Sequence, residues 1–321
     1  MSEVLRRVLL VALVFAGCRA PPDPSVLRVG YFPSLTHAPA LTGVTSGRFA
    51  RALAPSRLET RVFTAGPEAV TALLSGAVDV VYVGATPALS GYLRTRGRGL
   101  RVVSGAASGG ASLVGMAERL GDADRLRGRR LASPQLGNSQ DLALRRHLQA
   151  RGLASTEYGG DVSITPMAPS SVLLQLRRGG VDGAWLPEPW ATRAVLEVGA
   201  VRLLDERDAW PGRAFPGTVV AVRAPYLAAA RGTVLRFLRA HTEEVARLRR
   251  EPEAGRREVG EALAQLQHRP LPDAVLREAW ARVDFTTDPM PSALAVLART
   301  GQGLALLPEG SVEGIVEVVG P

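Results

Sequence analysis

Lysine is absent from this 321-residue chain, so all 39 of its basic side chains are arginines. Arginine stays protonated near neutral pH, which excludes a pyridoxal Schiff base, a lysine-containing phosphate loop and a serine–lysine hydrolase pair. The single cysteine excludes an intramolecular disulfide and a multi-thiolate metal site, and the four histidines lack metalloprotease spacing. Serine-hydrolase and dinucleotide-binding motifs are missing as well. We therefore expect no catalytic residue, no cofactor and no metal.

Aromatic residues make up only 5% of the chain, and no stretch after the first 18 residues is long and apolar enough for a membrane-spanning helix. The formal net charge is +9, but the arginines are spread among acidic residues along the whole length. With few aromatic rings to stack on bases, this charge does not indicate a nucleic-acid partner. The length allows two domains, and 46% hydrophobic with 21% charged residues is typical of a globular protein.

The first 17 residues have the pattern of a signal peptide. Two arginines precede a short apolar run, which ends in the small residues Ala16 and Gly17. Cys18 follows directly and resembles the lipidated residue of bacterial lipoproteins; the alternative is an ordinary secreted protein with an incidental cysteine. Residues 18–26 are rich in proline and predict a stiff tether. We expect an exported protein that is attached to a membrane by lipid.

Short apolar runs alternate with amphipathic segments after the tether, which is typical of an α/β protein. Strands are predicted at 27–32, 58–63, 78–83, 100–105, 162–165, 181–186, 201–204 and 218–222. Helices are predicted at 67–75, 87–94, 141–150, 171–178 and 190–197. From residue 225 to residue 308 the sequence indicates helices and almost no strand.

One α/β unit occurs twice. Residues 67–87 and 169–189 share an order of features: a helix begun by proline, a glycine stop, Val–Asp, a strand with one aromatic residue, and a second helix started by proline. The repeat predicts two lobes of like topology, with the chain crossing between them near 108–116 and 215–222. The predicted lobes are 27–107 with 217–321, and 108–216.

Loops that follow predicted strands contain helix-start residues in both halves of the chain. Thr86 is predicted as the N-cap of a helix whose first residue is Pro87, and Asn138 belongs to a second capping loop. Such loops gather at the carboxyl edge of an open α/β sheet, where free N–H groups and helix dipoles favour an anion. Plain helix capping explains each loop alone. Their occurrence in both halves predicts a ligand cleft between two lobes.

Five short blocks stand out: RVGYFPSLTHAPAL at 28–41, AGP at 65–67, PQLGN at 134–138, WLPEPW at 185–190 and DERDAW at 205–210. Together they resemble the nitrate/sulfonate/taurine-type substrate-binding proteins of ABC importers. The resemblance covers most of 27–300 and implies an α/β fold of two lobes, the type II periplasmic binding protein or Venus flytrap, with a helical C-terminal tail. It also implies a monomer that captures a small anionic or zwitterionic solute and delivers it to permease subunits.

By position, the resemblance implies ligand contacts from Phe32, Thr36, His37, Gly84, Thr86, Ser108, Gly109, Asn138, Ser139, Gln140, Glu188 and Trp190. His37 is either a ligand donor or only a helix-start residue, and Trp190 either stacks on the ligand or packs in the core. Gly84 and Gly109 would let the backbone approach the ligand. Glu188 would either hold an amine of the ligand or bond to local N–H groups.

Two other functions share the implied fold. Pyrimidine-precursor synthases are enzymes that rely on a pyridoxal-bound lysine, which this chain lacks; a pyrimidine-precursor-type binding protein remains an alternative. A sensor or adhesion module that feeds a signalling partner is a third interpretation. We expect a periplasmic, membrane-anchored solute-binding lipoprotein, with a sulfonate, taurine or nitrate as the class of ligand.

Overall fold

The computed structural model describes residues 23–320, so the predicted signal peptide, Cys18 and the first part of the predicted tether lie outside the described residues. The strands are β1 (Val26–Tyr31), β2 (Arg57–Val62), β3 (Val80–Val83), β4 (Leu100–Gly109), β5 (Ala111–Gly115), β6 (Arg130–Ser133), β7 (Ser163–Pro166), β8 (Gly183–Pro187), β9 (Val201–Asp205), β10 (Pro216–Arg223) and β11 (Val283–Phe285). The helices are α1 (Ala38–Thr45), α2 (Arg48–Leu53), α3 (Gly66–Ser75), α4 (Ala85–Arg94), α5 (Ser139–Gln149), α6 (Pro169–Arg178), α7 (Trp190–Val198), α8 (Ala224–Ala229), α9 (Arg231–Arg250), α10 (Pro252–Gln267), α11 (Asp273–Trp280) and α12 (Pro291–Gly303).

The strands form two separate sheets, which confirms the predicted α/β fold of two lobes. The first sheet has the order β11–β4–β10–β3–β1–β2 and the second has the order β7–β6–β8–β5–β9. Within the first sheet β1 pairs in parallel with β2 and β3, and within the second β6 pairs in parallel with β7 and β8. We call the part of the chain built on the first sheet lobe 1 and the part built on the second sheet lobe 2.

The chain passes from lobe 1 to lobe 2 at Gly110. Strand β4 ends at Gly109 in the first sheet, and β5 begins at Ala111 in the second. Gly110 has a φ of +86°, and an added Cβ would collide with the side chain of Thr36. Only glycine meets both conditions without strain, so this residue allows one sheet to continue into the other within a single residue.

Every predicted strand is present with its ends shifted by a few residues, but three strands were not predicted. Strand β5 lies inside the segment interpreted as a crossing loop, because its neighbours in the sequence are glycines and serines. Strand β6 has only four residues and no β-branched residue among them. Strand β11 has three residues and pairs with the end of β4. Such short edge or interior strands carry too little periodicity to be read from sequence.

The predicted helical tail packs on lobe 1. Helices α9 and α10 place Phe237, Leu248 and Val259 in the same buried cluster as Leu41 and Phe49, which come from α1 and α2. Burial of these apolar faces fixes the tail against the sheet by the hydrophobic effect. Among residues 23–320, no helix combines the length and the apolarity needed to cross a bilayer.

Candidate functional site

A cavity of about 910 Å³ lies between the two lobes. Residues on its lobe 1 wall are Phe32, Pro33, Ser34, Thr36, His37, Thr64, Ala65, Gly66, Gly84, Pro87, Gly217, Thr218, Gln267 and Arg269. Residues on its lobe 2 wall are Pro134, Gln135, Asn138, Ser139, Gln140, Ala168, Pro169, Ser170, Leu173, Leu174, Arg177, Pro187, Trp190, Arg193, Glu197 and Val198. Most of them follow the carboxyl end of a parallel strand, the edge at which open α/β sheets bind ligands.

Six helices begin at the wall of this cavity. They are α1, α3 and α4 from lobe 1 and α5, α6 and α7 from lobe 2. The first-turn N–H groups of a helix lack partners within the helix, and its N-terminus carries the positive end of the dipole. At α5, Asn138 Oδ1 accepts a hydrogen bond of 2.8 Å from the Asp141 N–H, which fixes the loop that presents Ser139 and Gln140. The arrangement is suited to an anion.

His37 contributes a neutral hydrogen-bond donor to the cavity wall. Its Nδ1 accepts a hydrogen bond of 3.3 Å from the Phe32 N–H, so the ring proton resides on Nε2. No residue in the described range 23–320 hydrogen-bonds to that Nε2. Burial lowers the pKa of His37 to about 3, which keeps the ring uncharged at neutral pH. The ring also packs against Phe32, with 4.6 Å between ring centroids.

The two lobes touch at the cavity, and the absence of a side chain at Gly84 allows this contact. An added Cβ at Gly84 would lie 2.7 Å from Ser139 Oγ on the opposite lobe. Next to it, the Thr86 N–H donates to the same Ser139 oxygen at 3.3 Å. A second bridge joins the lobes where Ser34 Oγ donates to the Glu188 carbonyl oxygen at 3.2 Å. The structure is thus a closed arrangement of the two lobes around the cavity.

Positive side chains outnumber negative ones on the cavity wall. Arg177, Arg193 and Arg269 line it, together with the single carboxylate of Glu197. Arg193 neutralises Glu197 through two hydrogen bonds of 2.9 Å and lies 4.5 Å above the Trp190 ring. Trp190 is half-buried on the wall, so it both packs on Arg193 and faces the cavity. No sequence motif indicates these three arginines, because only the fold brings their helix-interior and loop positions to one cavity.

Eight of the twelve predicted contact residues line the cavity: Phe32, Thr36, His37, Gly84, Asn138, Ser139, Gln140 and Trp190. Their contact with a ligand stays a prediction. Four do not line it: Thr86, Ser108, Gly109 and Glu188.

Glu188 is fully buried, and its carboxylate is engaged by its own lobe. One oxygen accepts a hydrogen bond of 2.9 Å from the Arg202 guanidinium. The other accepts a hydrogen bond of 3.0 Å from the Thr192 N–H at the start of α7. Burial raises the pKa of this carboxyl, and Arg202 partly offsets the shift. The predicted direct contact between Glu188 and an amine is therefore not supported by the geometry, and the alternative of bonding to local N–H groups is what the structure has.

Ser108 and Gly109 belong to the end of β4, not to a cavity loop. Ser108 pairs with Pro216 and with Asp284 in the sheet. Gly109 faces the Arg207 side chain, and an added Cβ would lie 2.7 Å from it. The glycine accommodates this arginine, which forms an ion pair with Asp284 across the lobes.

Thr86 is the second residue of α4, since the helix begins at Ala85 and its N-cap is Gly84. The predicted N-cap role is wrong by two residues, because proline fits any first-turn position that needs no hydrogen bond from its nitrogen. The Thr86 hydroxyl is buried directly behind Gly84, and it has no hydrogen-bond partner in the described part of the chain. Within residues 23–320 no cluster of His, Cys, Asp or Glu has the composition of a metal site.

Comparison with known proteins gives the family. The profile of the NMT1-like family matches residues 20–264. A protein of Brucella abortus (strain 2308), named as a binding protein without a stated ligand, is 29% identical over 213 residues, which are 66% of this chain and 63% of the relative. The chain thus spans less than two thirds of the length of such curated relatives.

Solved structures give the fold. The alkanesulfonate-binding protein SsuA from Xanthomonas axonopodis pv. citri bound to MOPS superposes with a TM-score of 0.74 at 21% identity, covering 90% of this chain and 96% of that one. The periplasmic nitrate-binding protein NrtA from Synechocystis PCC 6803 superposes with a TM-score of 0.75 at 13% identity, covering 92% and 85%. The chain therefore belongs to the NMT1-like family, and its fold is that of the two-lobe periplasmic binding proteins.

Proposed function

We propose that this protein is an extracytoplasmic solute-binding protein that captures a small organic anion between its lobes and delivers it to the permease of an ABC importer. The observation that carries the proposal is the interlobe cavity at which six helices begin. Aliphatic sulfonates are the favoured ligand class. Sulfonate- and nitrate-binding proteins of the same fold support this choice.

The charges around the cavity favour an anion over an amine. Both carboxylates near its wall are already paired, Glu197 with Arg193 and Glu188 with Arg202. An ammonium group in the cavity would therefore meet helix N-termini and arginines without a free carboxylate to hold it. An anion would instead receive hydrogen bonds from backbone N–H groups and from the neutral His37 ring.

The size of the cavity favours an organic anion over nitrate. Ligand pockets of roughly 300–1,000 Å³ enclose molecules of drug size, and this cavity of about 910 Å³ lies near the upper end. A bare inorganic ion would leave most of that space to water. A sulfonate with an aliphatic body would fill more of it and bury apolar surface against the wall.

A thermal-shift and calorimetric screen tests the proposal with methanesulfonate, longer alkanesulfonates, taurine and nitrate. A ligand at a hundred times its dissociation constant stabilises the protein by about 2.7 kcal/mol, which corresponds to a melting-temperature rise of several degrees. We expect the longer alkanesulfonates to give the largest rise. Absence of any shift with all of these anions would overturn the proposal.

A matched pair of variants locates the binding site. Gln140→Glu places a carboxylate at the start of α5 on the cavity wall, where repulsion should weaken sulfonate binding at least tenfold. Gln149→Glu adds the same charge at the exposed far end of the same helix and should leave affinity within about twofold. Equal losses in the two variants would argue that the anion binds elsewhere.

A flat heterocycle is a second candidate ligand, because three rings line the cavity. Phe32 and His37 lie ring against ring, and Trp190 lies on the opposite lobe. A pyrimidine could stack between such surfaces. Inclusion of aminopyrimidines in the same screen decides the matter: a larger shift with them than with any sulfonate would favour a pyrimidine-precursor-type binding protein.

We also propose that Cys18 carries the lipid anchor and that the predicted tether, residues 18–26, ends at Ser25, because Val26 is the first residue of β1. The motif of an apolar run, Ala16, Gly17 and Cys18 supports this. Cys18→Ser should release the protein from membranes into the soluble extracytoplasmic fraction. An unmodified Cys18 in the intact mass of the wild type would contradict the anchor.

We propose that the two lobes are moving units, with the predicted boundaries of 27–107 with 217–321 and 108–216 adjusted so that β4 up to Gly109 and β10 from Pro216 belong to lobe 1. Interlobe contacts such as Ser34 to Glu188 support closure around a ligand. Small-angle scattering should show a smaller radius of gyration with a saturating ligand, and an unchanged profile would indicate a rigid scaffold.

A further inference from the structure

One face of helix α6 runs along the cavity from end to end. Pro169, Ser170, Leu173, Leu174 and Arg177 all lie on the wall, at the spacing of successive helical turns. Seven residues separate Ser170 from Arg177, which at 1.5 Å per residue is roughly 10 Å along the helix axis. The cavity is therefore elongated, with the helix N-termini at one end and Arg177 at the other.

The middle of this face is apolar, and one of its two leucines is uncovered. Leu174 is 44% exposed although it lies on the cavity wall, and Leu173 lies beside it. On α7, Trp190 and Val198 line the same space. A ligand with an apolar body would cover these side chains and remove their surface from water.

Two arginines line the cavity from opposite lobes, and Arg177 marks its far end. Arg177 belongs to lobe 2, and Arg269 belongs to the lobe 1 segment between α10 and α11. Neither forms an ion pair with any residue of the described range 23–320, and Arg177 donates only to the Glu197 carbonyl oxygen, at 3.2 Å. The Arg269 segment is held near the cavity because the Gln267 amide donates to the Pro33 carbonyl oxygen at 3.0 Å.

We infer that the ligand carries two anionic groups joined by an apolar chain. The inference rests on the proposed function: one anion binds at the helix N-termini beside His37, the apolar chain lies along Leu173 and Leu174, and the second anion bridges Arg177 and Arg269. The second anion would link the two lobes at the far end of the cavity, so its binding and lobe closure reinforce each other.

Matched sulfonates test the inference by calorimetry on the purified protein. Hexanesulfonate and hexane-1,6-disulfonate differ only in the second charged group, and ethane- and decane-disulfonates vary the span. We expect hexane-1,6-disulfonate to bind roughly tenfold more tightly than hexanesulfonate or better, as expected for a charge-assisted hydrogen-bonded group. The ethane compound, which is too short to span the face, should bind no better than a monosulfonate.

Variants at the far end separate a second subsite from general attraction. Arg177→Gln with Arg269→Gln should remove the advantage of the disulfonate and leave hexanesulfonate affinity within about threefold. Arg178→Gln removes a neighbouring exposed charge on the same helix that does not line the cavity, and it should change neither affinity. Because the substituted arginines are exposed, folding is not at risk.

The outcomes distinguish the two proposals. Equal weakening of monosulfonate and disulfonate by the double variant would show long-range attraction only and would overturn the second subsite. Equal affinity of the two ligands for the wild type would overturn it as well, while sulfonate capture itself would stand. Absence of binding by either ligand would instead overturn the proposed function.

Discussion

The two repeated units use the same device to join their central strands. In lobe 1, Arg28 on β1 donates its backbone N–H to Asp79 at 3.2 Å and its guanidinium at 3.3 Å. In lobe 2, Arg130 on β6 donates the same two groups to Asp182, both at 2.9 Å. Each aspartate stands immediately before a central strand, β3 or β8, and ties it to the neighbouring parallel strand. The repeated aspartate is thus a buried carboxylate that pairs with an arginine of the neighbouring strand in both lobes.

The two pairs differ in depth. Asp79 is fully buried and is also held by Arg223 at 3.1 Å, whose side chain is 13% exposed. Asp182 is held by Arg130, whose side chain is 51% exposed, and more distantly by Arg119 at 3.6 Å, whose side chain is 26% exposed. A guanidinium at the surface can regain water when its partner is removed, and a buried one cannot.

The units also differ where their second helix begins, next to the cavity. In lobe 2 every oxygen of the Glu188 carboxylate has a partner, Arg202 or Thr192. In lobe 1 the Thr86 hydroxyl, at the corresponding place, has none among the described residues. The same α/β unit therefore carries a polar group with all its hydrogen-bond partners in lobe 2 and a polar group without a described partner in lobe 1. Within residues 23–320, lobe 1 thus retains an unused hydrogen-bonding group where lobe 2 has none.

The largest expected effect is that of removing the deeper aspartate. Asp79→Ala should lower the free energy of unfolding by about 3–5 kcal/mol, because it leaves two guanidiniums without their buried partner. Asp182→Ala should cost about 1–3 kcal/mol, since Arg130 can turn to solvent. Urea unfolding of both variants measures the difference, and Asp79→Asn serves if the alanine variant does not fold. Equal losses of stability in the two variants would show that the degree of burial does not change how much each ion pair contributes.

The next largest effect is expected at Glu188, where a substitution should change stability but not ligand affinity. Glu188→Gln should lower the free energy of unfolding by about 1.5–3 kcal/mol, because Arg202 loses a charge-assisted hydrogen bond in a buried setting. Sulfonate affinity should hold or rise, since the carboxylate makes no contact with the cavity. Chemical unfolding and calorimetry on the same preparation check both statements. A tenfold loss of affinity without loss of stability would indicate that Glu188 contacts the ligand.

The sequence was sufficient for the architecture because long, regular patterns determine it. Strand β3 is a continuous apolar run buried on both faces, and helix α6 begins with proline and ends before a glycine with positive φ. The repeat then indicated two lobes. Strand β6 escaped prediction because its four residues show no alternation and are defined by their partners β7 and β8, which are distant in sequence.

The site was predictable only where ligand loops coincide with helix starts. Asn138, Ser139 and Gln140 carry such a signal, because capping chemistry is local. Arg177 and Arg269 carry none: in the sequence they are two of many arginines, and only the fold brings them to the same cavity, one on each lobe. The state of Glu188 was equally hidden, since its partner Arg202 lies on the separate strand β9.

Two buried groups, one in each lobe, should respond to pH in opposite directions. In lobe 1 burial lowers the pKa of His241 to about 4, while its Nδ1 accepts from the Tyr82 hydroxyl and its Nε2–H donates to the Gly105 carbonyl oxygen, both at 2.8 Å. The unfolded chain takes up a proton near pH 6.5 and the folded chain only near pH 4. Stability contributed by this group is therefore lost as the pH falls from about 6.5 to about 4, by up to about 1.4 kcal/mol per unit.

In lobe 2 burial raises the pKa of Glu206 well above its ordinary value, and the Trp185 indole donates to this carboxyl at 3.0 Å. The folded chain therefore holds this proton to a higher pH than the unfolded chain does, so the contribution of the group to stability is complete below about pH 4.5 and is lost as the pH rises. Glu206→Gln keeps the acceptor for Trp185 and should raise stability at pH 8 while leaving pH 4 nearly unchanged. Urea unfolding at the two pH values checks this; a destabilised variant at pH 8 would contradict the raised pKa.

The smallest expected effect tests the available hydroxyl of lobe 1. Thr86→Val keeps the shape of the side chain and removes only its hydroxyl. Since that hydroxyl is fully buried and has no partner in the described chain, the free energy of unfolding without ligand should stay constant or rise, by less than about 1 kcal/mol. With a sulfonate bound, the same change should lower affinity by about 1 kcal/mol, roughly fivefold, if the hydroxyl turns toward the anion past Gly84. Thr192→Val at α7 is the matched control, because its hydroxyl accepts from Arg202 at 3.0 Å and should cost stability but not affinity. Calorimetry measures the sulfonate affinity of each variant, and urea unfolding measures the free energy of unfolding of each. Loss of stability in Thr86→Val comparable to that in Thr192→Val would show that the Thr86 hydroxyl is already satisfied, and the contrast between the two lobes would disappear.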